Sequence, residues 1–290
     1  MKKILAWPTP LLQKWLLSLL LCPLIALVMM LYLHQEPLMH RPLVIGHRGD
    51  IYAPENSLEG IESAALRGAD YAEIDIQLTA DGELAVFHDS STSRLCERDL
   101  TVADSTLAEL KQLDLVSRRE HFTIPSLEEA VQKAKEAQVG LLIEFKPQDG
   151  QEEEMAEKTI ALIEKNDFAD QAIFMSMNEP IVRIMEEERP SWWNGYCIFG
   201  ALGKVDTSWN VDFLAIEESQ ANTRFLEQAR NNGIPVYIWT VDEYYSVLGY
   251  LRMGVSGIIG NSAEDVRMAV DDYLTNDHEE YLNDDPHDIR

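Results

Sequence analysis

The chain has 290 residues, 46% of them hydrophobic, with 50 Asp and Glu against 24 Lys and Arg and a formal charge of −26 at neutral pH. A surface this acidic repels nucleic acids and anionic headgroups, so nucleic-acid binding drops out of the expected functions. The cysteines Cys22, Cys96 and Cys197 make no disulfide framework, Cys96 and Cys197 being at most a conceivable pair, and without a C-x-x-C or Cys/His cluster structural zinc is disfavoured.

The first recognisable element is apolar. Leu16 to Leu33 carries no charge and as a helix is about 27 Å long, enough to cross a bilayer core. No small-x-small site follows it, and Leu21 before Cys22 is too large for lipoprotein cleavage, so the segment reads as a retained anchor rather than a signal peptide. Lys2, Lys3 and Lys14 precede it and Glu36 follows. That asymmetry predicts a cytoplasmic amino terminus and a single-pass cell-membrane protein whose main domain is extracytoplasmic. Residues 1–33 are thus read as terminus and anchor, 34–42 as a linker, 43–274 as the main domain and 275–290 as an acidic tail.

Within the main domain, strand-like runs alternate with helix-like ones. The strands are expected at Leu43 to His47, Tyr71 to Ile76, Leu141 to Lys146, Ala172 to Met177, Gly195 to Phe199, Phe213 to Glu217, Pro235 to Val241 and Gly257 to Gly260. Asn56 with Glu59 three residues on predicts one helix start, with Gly68 as its stop, and Ser126 with Glu129 predicts another. Further helices fit Glu152 to Asn166, Glu179 to Glu188, Thr223 to Asn232, Glu243 to Arg252 and Ala263 to Tyr273. Such alternation suits a closed parallel α/β barrel, with a doubly wound open sheet as the alternative.

One stretch breaks the alternation. In "AEIDIQLTADGELAVFHD", residues 72–89, Ala72, Ile74, Ile76 and Leu78 fall on one face and Glu73, Asp75, Gln77 and Thr79 on the other. Asp81-Gly82 predicts a two-residue hairpin turn, which sets Ala80 opposite Glu83 and Asp75 opposite His88. A two-residue turn cannot make a parallel crossover, so the second arm reads as an excursion above the barrel rim. Residues 88–125 form a longer connection, with a short helix in "ADSTLAELKQLD".

In an α/β barrel the chemistry sits at the carboxyl ends of the strands. His47, Glu73, Asp75, Glu144 and Lys146 fall there, and the hairpin returns His88 to the same rim. Three carboxylates in one apolar-walled site repel unless protonated or bound to a cation, and oxygen ligands select a hard ion, Mg2+ or Ca2+. Two flanking imidazoles suit a general acid and a general base. Arg48 and Lys146 supply positive charge for a phosphate ester, and the helix begun at Asn56 turns its amino-terminal dipole to the same side. These residues also have structural readings: Arg48 paired with Asp50, Glu144 with Lys146 as a simple ion pair, and Trp239 of "YIWTVD" as core or pocket wall rather than a specific contact.

The motifs "GHRGDIYAPENS" (46–57), "GADYAEIDIQLTADGELAVFHD" (68–89), "LLIEFKP" (141–147), "YIWTVD" (237–242) and "GVSGIIGNSAEDV" (254–266) resemble, in this order, those of the glycerophosphodiester phosphodiesterases. The resemblance implies a TIM (β/α)8 barrel that hydrolyses glycerophosphodiesters to sn-glycerol 3-phosphate and an alcohol with a divalent cation. It implies His47 and His88 as the acid–base pair and Glu73, Asp75 and Glu144 as metal ligands. Arg48, Lys146 and Trp239 would contact the substrate, with Glu55 and Asn56 shaping the site behind them. The chain departs from the family pattern at Asp242, usually asparagine, and at Gly260-Asn261-Ser262-Ala263, usually of T-D-x-P type. Two other readings stand beside hydrolysis of soluble diesters: a lysophospholipase D acting on membrane lysophospholipids, and a phosphodiester-binding barrel without catalysis.

Overall fold

The computed structural model describes residues 41–115, 122–199 and 210–275. The expected membrane segment and most of the acidic tail lie outside them; among the described residues, no helix is long and apolar enough to cross a membrane.

The barrel strands are β1 (Leu43–Gly46), β2 (Tyr71–Leu78), β6 (Gly140–Phe145), β7 (Ala172–Ser176), β8 (Trp193–Ile198), β9 (Phe213–Glu217), β10 (Val236–Trp239) and β11 (Gly257–Gly260). All eight run parallel, each beside the next, and the pairing of β1 with both β11 and β2 closes the ring. Closure decides for the barrel over the open sheet. The strand interiors are near-continuous apolar runs because both faces are covered. Inward positions such as Ile45, Leu142, Ile173, Met175, Cys197, Ala215 and Ile259 fill the lumen, while outward ones such as Ile74, Ile143 and Ile258 pack under the helices. At the base of the barrel Gly140 makes room for Tyr71, whose ring would lie 2.3 Å from an added Cβ.

The helices are α1 (Leu58–Leu66), α2 (Leu107–Leu110), α3 (Leu127–Ala137), α4 (Glu152–Lys165), α5 (Glu179–Glu188), α6 (Thr223–Asn231), α7 (Tyr244–Arg252) and α8 (Ala263–Thr275). Ser126 and Glu129 form the predicted reciprocal capping box at α3. The predicted cap of α1 is displaced by one residue. Ser57, not Asn56, accepts from Gly60 N–H, because Asn56 is held in the left-handed region at φ 57° and its side chain is engaged elsewhere.

The excursion is present, but its register differs from the expectation. Strand β3 (Leu84–Val86) pairs antiparallel with the distal half of β2, placing Ile76 opposite Val86 and Leu78 opposite Leu84. Thr79 N–H donates to Glu83 O and Gly82 N–H to Thr79 O. Ala80, Asp81 and Gly82 therefore form a three-residue loop, with Gly82 at φ 73°, a geometry that a Gly in the left-handed position favours. The extra loop residue sets Phe87, not His88, opposite Asp75, with Phe87 N–H donating to Asp75 O at 3.0 Å. A one-residue slip moves each side chain to the other face, so Asp75 and His88 are not cross-strand neighbours.

The connection beyond β3 has its own small core. Phe87, Val102, Leu110, Leu113, Leu115 and Ile124 are buried together with Cys96, and the short strands β4 (Asp114–Leu115) and β5 (Phe122–Thr123) pair beside it. The expected short helix here is a 3-10 turn at Val102–Asp104 followed by the single-turn α2. Cys96 lies in this outer core and Cys197 in the lumen, both as free thiols.

Candidate active site

Glu73, Asp75 and Glu144 are almost fully buried at the carboxyl end of the lumen. The β2 alternation puts Glu73 and Asp75 on the inner face, and the parallel register sets Asp75 beside Glu144 of β6. One carboxylate oxygen from each lies within 4.8 Å of the others. Lys146 Nζ bridges the cluster, 2.5 Å from Glu144 Oε1 and 3.3 Å from Asp75 Oδ1.

The β1 end supplies the opposite wall. Arg48, at φ 52°, turns its backbone N–H onto Glu73 Oε2 at 2.6 Å. Its guanidinium donates to Glu55 Oε1 at 2.9 Å and stands 3.6 Å from Asp75 Oδ2, so Arg48 serves the cluster and not Asp50. Asn56 locks Asp75 at two points: its Nδ2 donates to Asp75 Oδ2 at 2.9 Å, and its Oδ1 accepts from Asp75 N–H at 2.9 Å. Asn tolerates the left-handed conformation this requires. Asn56 is thus a support of the cluster rather than a helix cap.

The charge of the cluster is not balanced internally. Burial, then repulsion from Asp75 and Glu144, raises the Glu73 pKa well above the ordinary carboxylate range. Burial and the Asp75 charge push Glu144 up to about 7. Burial works against the Lys146 ammonium, yet Glu144 and Asp75 hold its pKa above the ordinary lysine value. Glu73 Oε1 and Asp75 Oδ1 are buried without a hydrogen-bond partner, where a polar atom ordinarily has one. Glu73 Oε1 has no partner at all and Asp75 Oδ1 only the Lys146 ion pair, and such under-satisfied oxygens in a set of three carboxylates are what a hard divalent cation fits.

The two histidines stand on separate supports. His47 follows β1 directly, and its N–H donates to Gly260 O at 2.7 Å. Its Nδ1 lies 2.8 Å from Asn261 Oδ1. Burial lowers its pKa, with the Arg48 charge adding to the effect. Asn261 is held in turn by Asp242, its N–H 2.5 Å from Oδ1 and its Nδ2 2.6 Å from Oδ2. His88 Nδ1 lies 2.6 Å from Asp89 Oδ1. Gln77, two residues beyond Asp75 on the same face, donates to the carbonyls of Phe87 and Asp89 at 2.7 and 2.8 Å and so fixes the backbone on both sides of His88.

A chain of ion pairs joins the His88 segment to the carboxylates. Arg94 donates to Asp89 Oδ2 at 2.6 Å and to both oxygens of Glu55, and Glu55 takes Arg48. The Arg94 hydrogen bond holds Asp89 at about 2. Burial opposes ionisation of Glu55, but Arg94 and Arg48 together keep its pKa below the usual value.

All ten residues singled out in the sequence lie at this end of the barrel. Glu73, Asp75, Glu144, Lys146, Arg48 and Asn56 touch one another, and Glu55 links them to Arg94. Trp239 ends β10 among the lumen side chains, its ring 6.4 Å from that of Phe199 and its buried Nε1 without a hydrogen-bond partner. It contributes apolar wall and one free donor. Sequence reasoning missed Gln77, Asp89, Arg94, Asp242 and Asn261. Gln77 shares the alternating face of Glu73 and Asp75, and Asp242 and Asn261 follow strand ends as His47 does. The rule that picked His47 therefore reaches them too. Arg94 carries no such signal.

Residues 47–265 match the model of the Glycerophosphoryl diester phosphodiesterase family. A glycerophosphodiester phosphodiesterase of Caldanaerobacter subterraneus subsp. tengcongensis is 30% identical over 232 residues, 77% of this chain and 96% of that protein. One from Bacillus subtilis is 28% identical over 257 residues, covering 76% and 84%. Among solved structures, an Oleispira antarctica phosphodiesterase in complex with the product sn-glycerol-3-phosphate superposes with a TM-score of 0.74 at 28% identity, covering 79% of this chain and 97% of that one.

Proposed function

The chain belongs to the glycerophosphoryl diester phosphodiesterase family and hydrolyses glycerophosphodiesters to glycerol 3-phosphate, and from its site we propose how its own residues divide that work. The observation that carries the reading is the buried carboxylate triad, two of whose oxygens lack a hydrogen-bond partner. Glu73, Asp75 and Glu144 are the residues to hold a divalent cation, Mg2+ or Ca2+, which when bound offsets their repulsion and draws phosphate charge to the lumen mouth.

The remaining groups bind the substrate and move its protons. Arg48 and Lys146 place positive charge against the phosphate oxygens, fixed in position by Glu55, Asp75 and Glu144. Asn56 keeps Asp75 from rotating out of the cluster. Trp239 and the apolar lumen exclude water from below. His47 and His88 form the acid–base pair: one removes the proton from the attacking oxygen as it bonds to phosphorus, and the other protonates the alcohol oxygen as its bond to phosphorus breaks. The attacking oxygen is water or the neighbouring glycerol hydroxyl. Segregated supports for the two rings, Asn261 for one and Asp89 for the other, favour opposite roles.

The test is release of sn-glycerol 3-phosphate from glycerophosphocholine and glycerophosphoethanolamine, and of lysophosphatidate and choline from lysophosphatidylcholine, by the purified full-length protein. Activity lost on exhaustive chelation and restored by Mg2+ or Ca2+ is expected. Undiminished turnover in chelator would remove the role given to the triad. We also propose that residues 16–33 hold the domain at an extracytoplasmic membrane face, the apolar length and the preceding lysines being the support. Recovery of the protein in the carbonate-washed soluble fraction of cells would count against it. Preference for lysophosphatidylcholine over the soluble diesters would favour the lysophospholipase D reading.

A further inference from the structure

Asp242 and Asn261, where the chain departs from the family pattern, meet in the structure at His47. Asn261 sits one residue past β11, its backbone carbonyl accepting from Ile51 N–H at 2.8 Å. Asp242 lies past β10 and accepts from the N–H groups of both Asn261 and Ser262. The two loops thus present a carboxylate and a carboxamide in series behind the His47 ring.

The order of that series settles the proton on the imidazole. A carboxylate only accepts hydrogen bonds, whereas a carboxamide donates from nitrogen and accepts on oxygen. Asp242 Oδ1 is occupied by the Asn261 backbone N–H, and Oδ2 faces the Asn261 side chain at 2.6 Å. Asn261 must therefore turn its NH2 to Asp242, which leaves Oδ1 toward His47. Facing an acceptor at 2.8 Å, His47 Nδ1 must carry the proton. Its Nε2 is then the lone-pair nitrogen. We propose that Asn261 and Asp242 are positioning residues that hold His47 in the Nδ1–H form, so that Nε2 of His47 is the base that takes the proton from the attacking oxygen.

This rests on the reading of His47 and His88 as the acid–base pair. The attacking oxygen gives its proton to Nε2 and forms the bond to phosphorus; the phosphorus–alcohol bond breaks, and the alcohol oxygen takes its proton from His88. The supports differ in kind as the roles do. His47 rests on a neutral amide, and its buried ring disfavours the charged form. His88, on the carboxylate of Asp89, is the ring left to supply the proton. Charged groups around His47 are Arg48, Glu55 and Asp75, with Asp242 behind Asn261.

The experiment compares the full-length wild-type protein with Asp242→Asn, Asn261→Asp, the double exchange and His47→Ala on glycerophosphocholine, under saturating divalent cation. In Asp242→Asn the new amide can donate to Asn261 Oδ1, so the Asn261 amide can flip and offer NH2 to His47, which favours the wrong tautomer. A loss in kcat of about 100-fold with little change in KM is expected, within the range general base catalysis supplies. The double exchange sets a carboxylate directly on Nδ1 and restores the tautomer. It recovers most of kcat and moves the acidic limb of the kcat/KM profile up by about one pH unit, since a neighbouring negative charge favours the imidazolium. A group that only braced the loops would leave that limb in place.

An independent reading comes from 15N shifts of the His47 ring, identified by its loss in His47→Gln. The wild-type protein is expected to show a protonated Nδ1 and an unprotonated Nε2. A protonated Nε2, or an Asp242→Asn variant with wild-type kcat and an unmoved acidic limb while His47→Ala is inactive, would overturn the proposal. Full activity in His47→Ala would instead overturn the acid–base reading on which it stands.

Discussion

Replacing Glu144 by Gln is expected to stabilise the metal-free protein while destroying its function. Burial and the neighbouring Asp75 charge push the Glu144 carboxyl to about 7 from an ordinary 4.5. The folded state therefore holds this proton more tightly than the unfolded chain does, and stability is highest with the group protonated, below the unfolded value. It declines as pH rises from 4.5 toward 7. Carrying that difference of about two and a half pH units through proton linkage gives a cost of roughly 3 kcal/mol at pH 8 but only about 1 kcal/mol at pH 5. Gln cannot ionise, yet keeps an oxygen for Lys146, so the variant escapes the cost. In chelator at pH 8 its midpoint of thermal unfolding should lie about 6–10 °C above wild type, shrinking to a few degrees at pH 5. Adding Mg2+ or Ca2+ should raise the wild-type midpoint and leave the variant's unchanged, with glycerol 3-phosphate release lost. Differential scanning calorimetry at the two pH values decides it. A gain equal at both pH values, or none at pH 8, would refute the claim that unbalanced carboxylate charge burdens the empty site.

Other substitutions separate catalysis from stability. His47→Ala and His88→Ala should each lower kcat/KM by about 10²–10⁴-fold, the usual worth of a positioned proton-transfer group, with little change in thermal midpoint; near-wild-type rates in either would remove that ring from the mechanism. Asn56→Ala strips two hydrogen bonds from buried Asp75 and should cost roughly 2–4 kcal/mol in urea unfolding as well as activity, because the partners left behind stay buried. Phe87→Ala empties the outer core beneath the excursion and should cost about 3–5 kcal/mol, with proteolysis near residues 88–125 appearing before global unfolding. Arg94→Ala breaks a half-exposed pair, worth about 1 kcal/mol or less, so unchanged stability with reduced turnover is expected from freeing the His88 segment.

Some elements were legible because they follow from local chemistry. Strand periods, the Ser126–Glu129 box and the helix stop at Gly68 depend on residues within a few positions of one another. The carboxylate triad was legible too, since alternation along β2 and β6 sets the inward face and the barrel rule sets the active end. The hairpin turn was misread by one residue. Asp81-Gly82 serves a two-residue or a three-residue loop equally well, and the choice belongs to the packing of Leu84 and Val86 against the helices and of Phe87 in the outer core. Asn56 was misassigned for a related reason: Asn and Ser are both good caps, and only the presence of Asp75 beneath the loop draws Asn56 away from that role.

By itself the sequence determined the alternation of strands and helices and the inward carboxylates gathered at one end of the strands, because period and side-chain charge are carried by each segment alone, while closure of the ring was left to the tertiary structure. Tertiary structure decided the contacts between segments: Arg94 reaching Glu55, Phe87 taking the place opposite Asp75, and Asn261 standing between Asp242 and His47. His47 and Asn261 are separated by 214 positions in the chain. A hydrogen bond resolves differences of a few tenths of an ångström and depends on which atom of an amide faces which neighbour, and that geometry exists only once the first and last strands of the barrel have closed against each other.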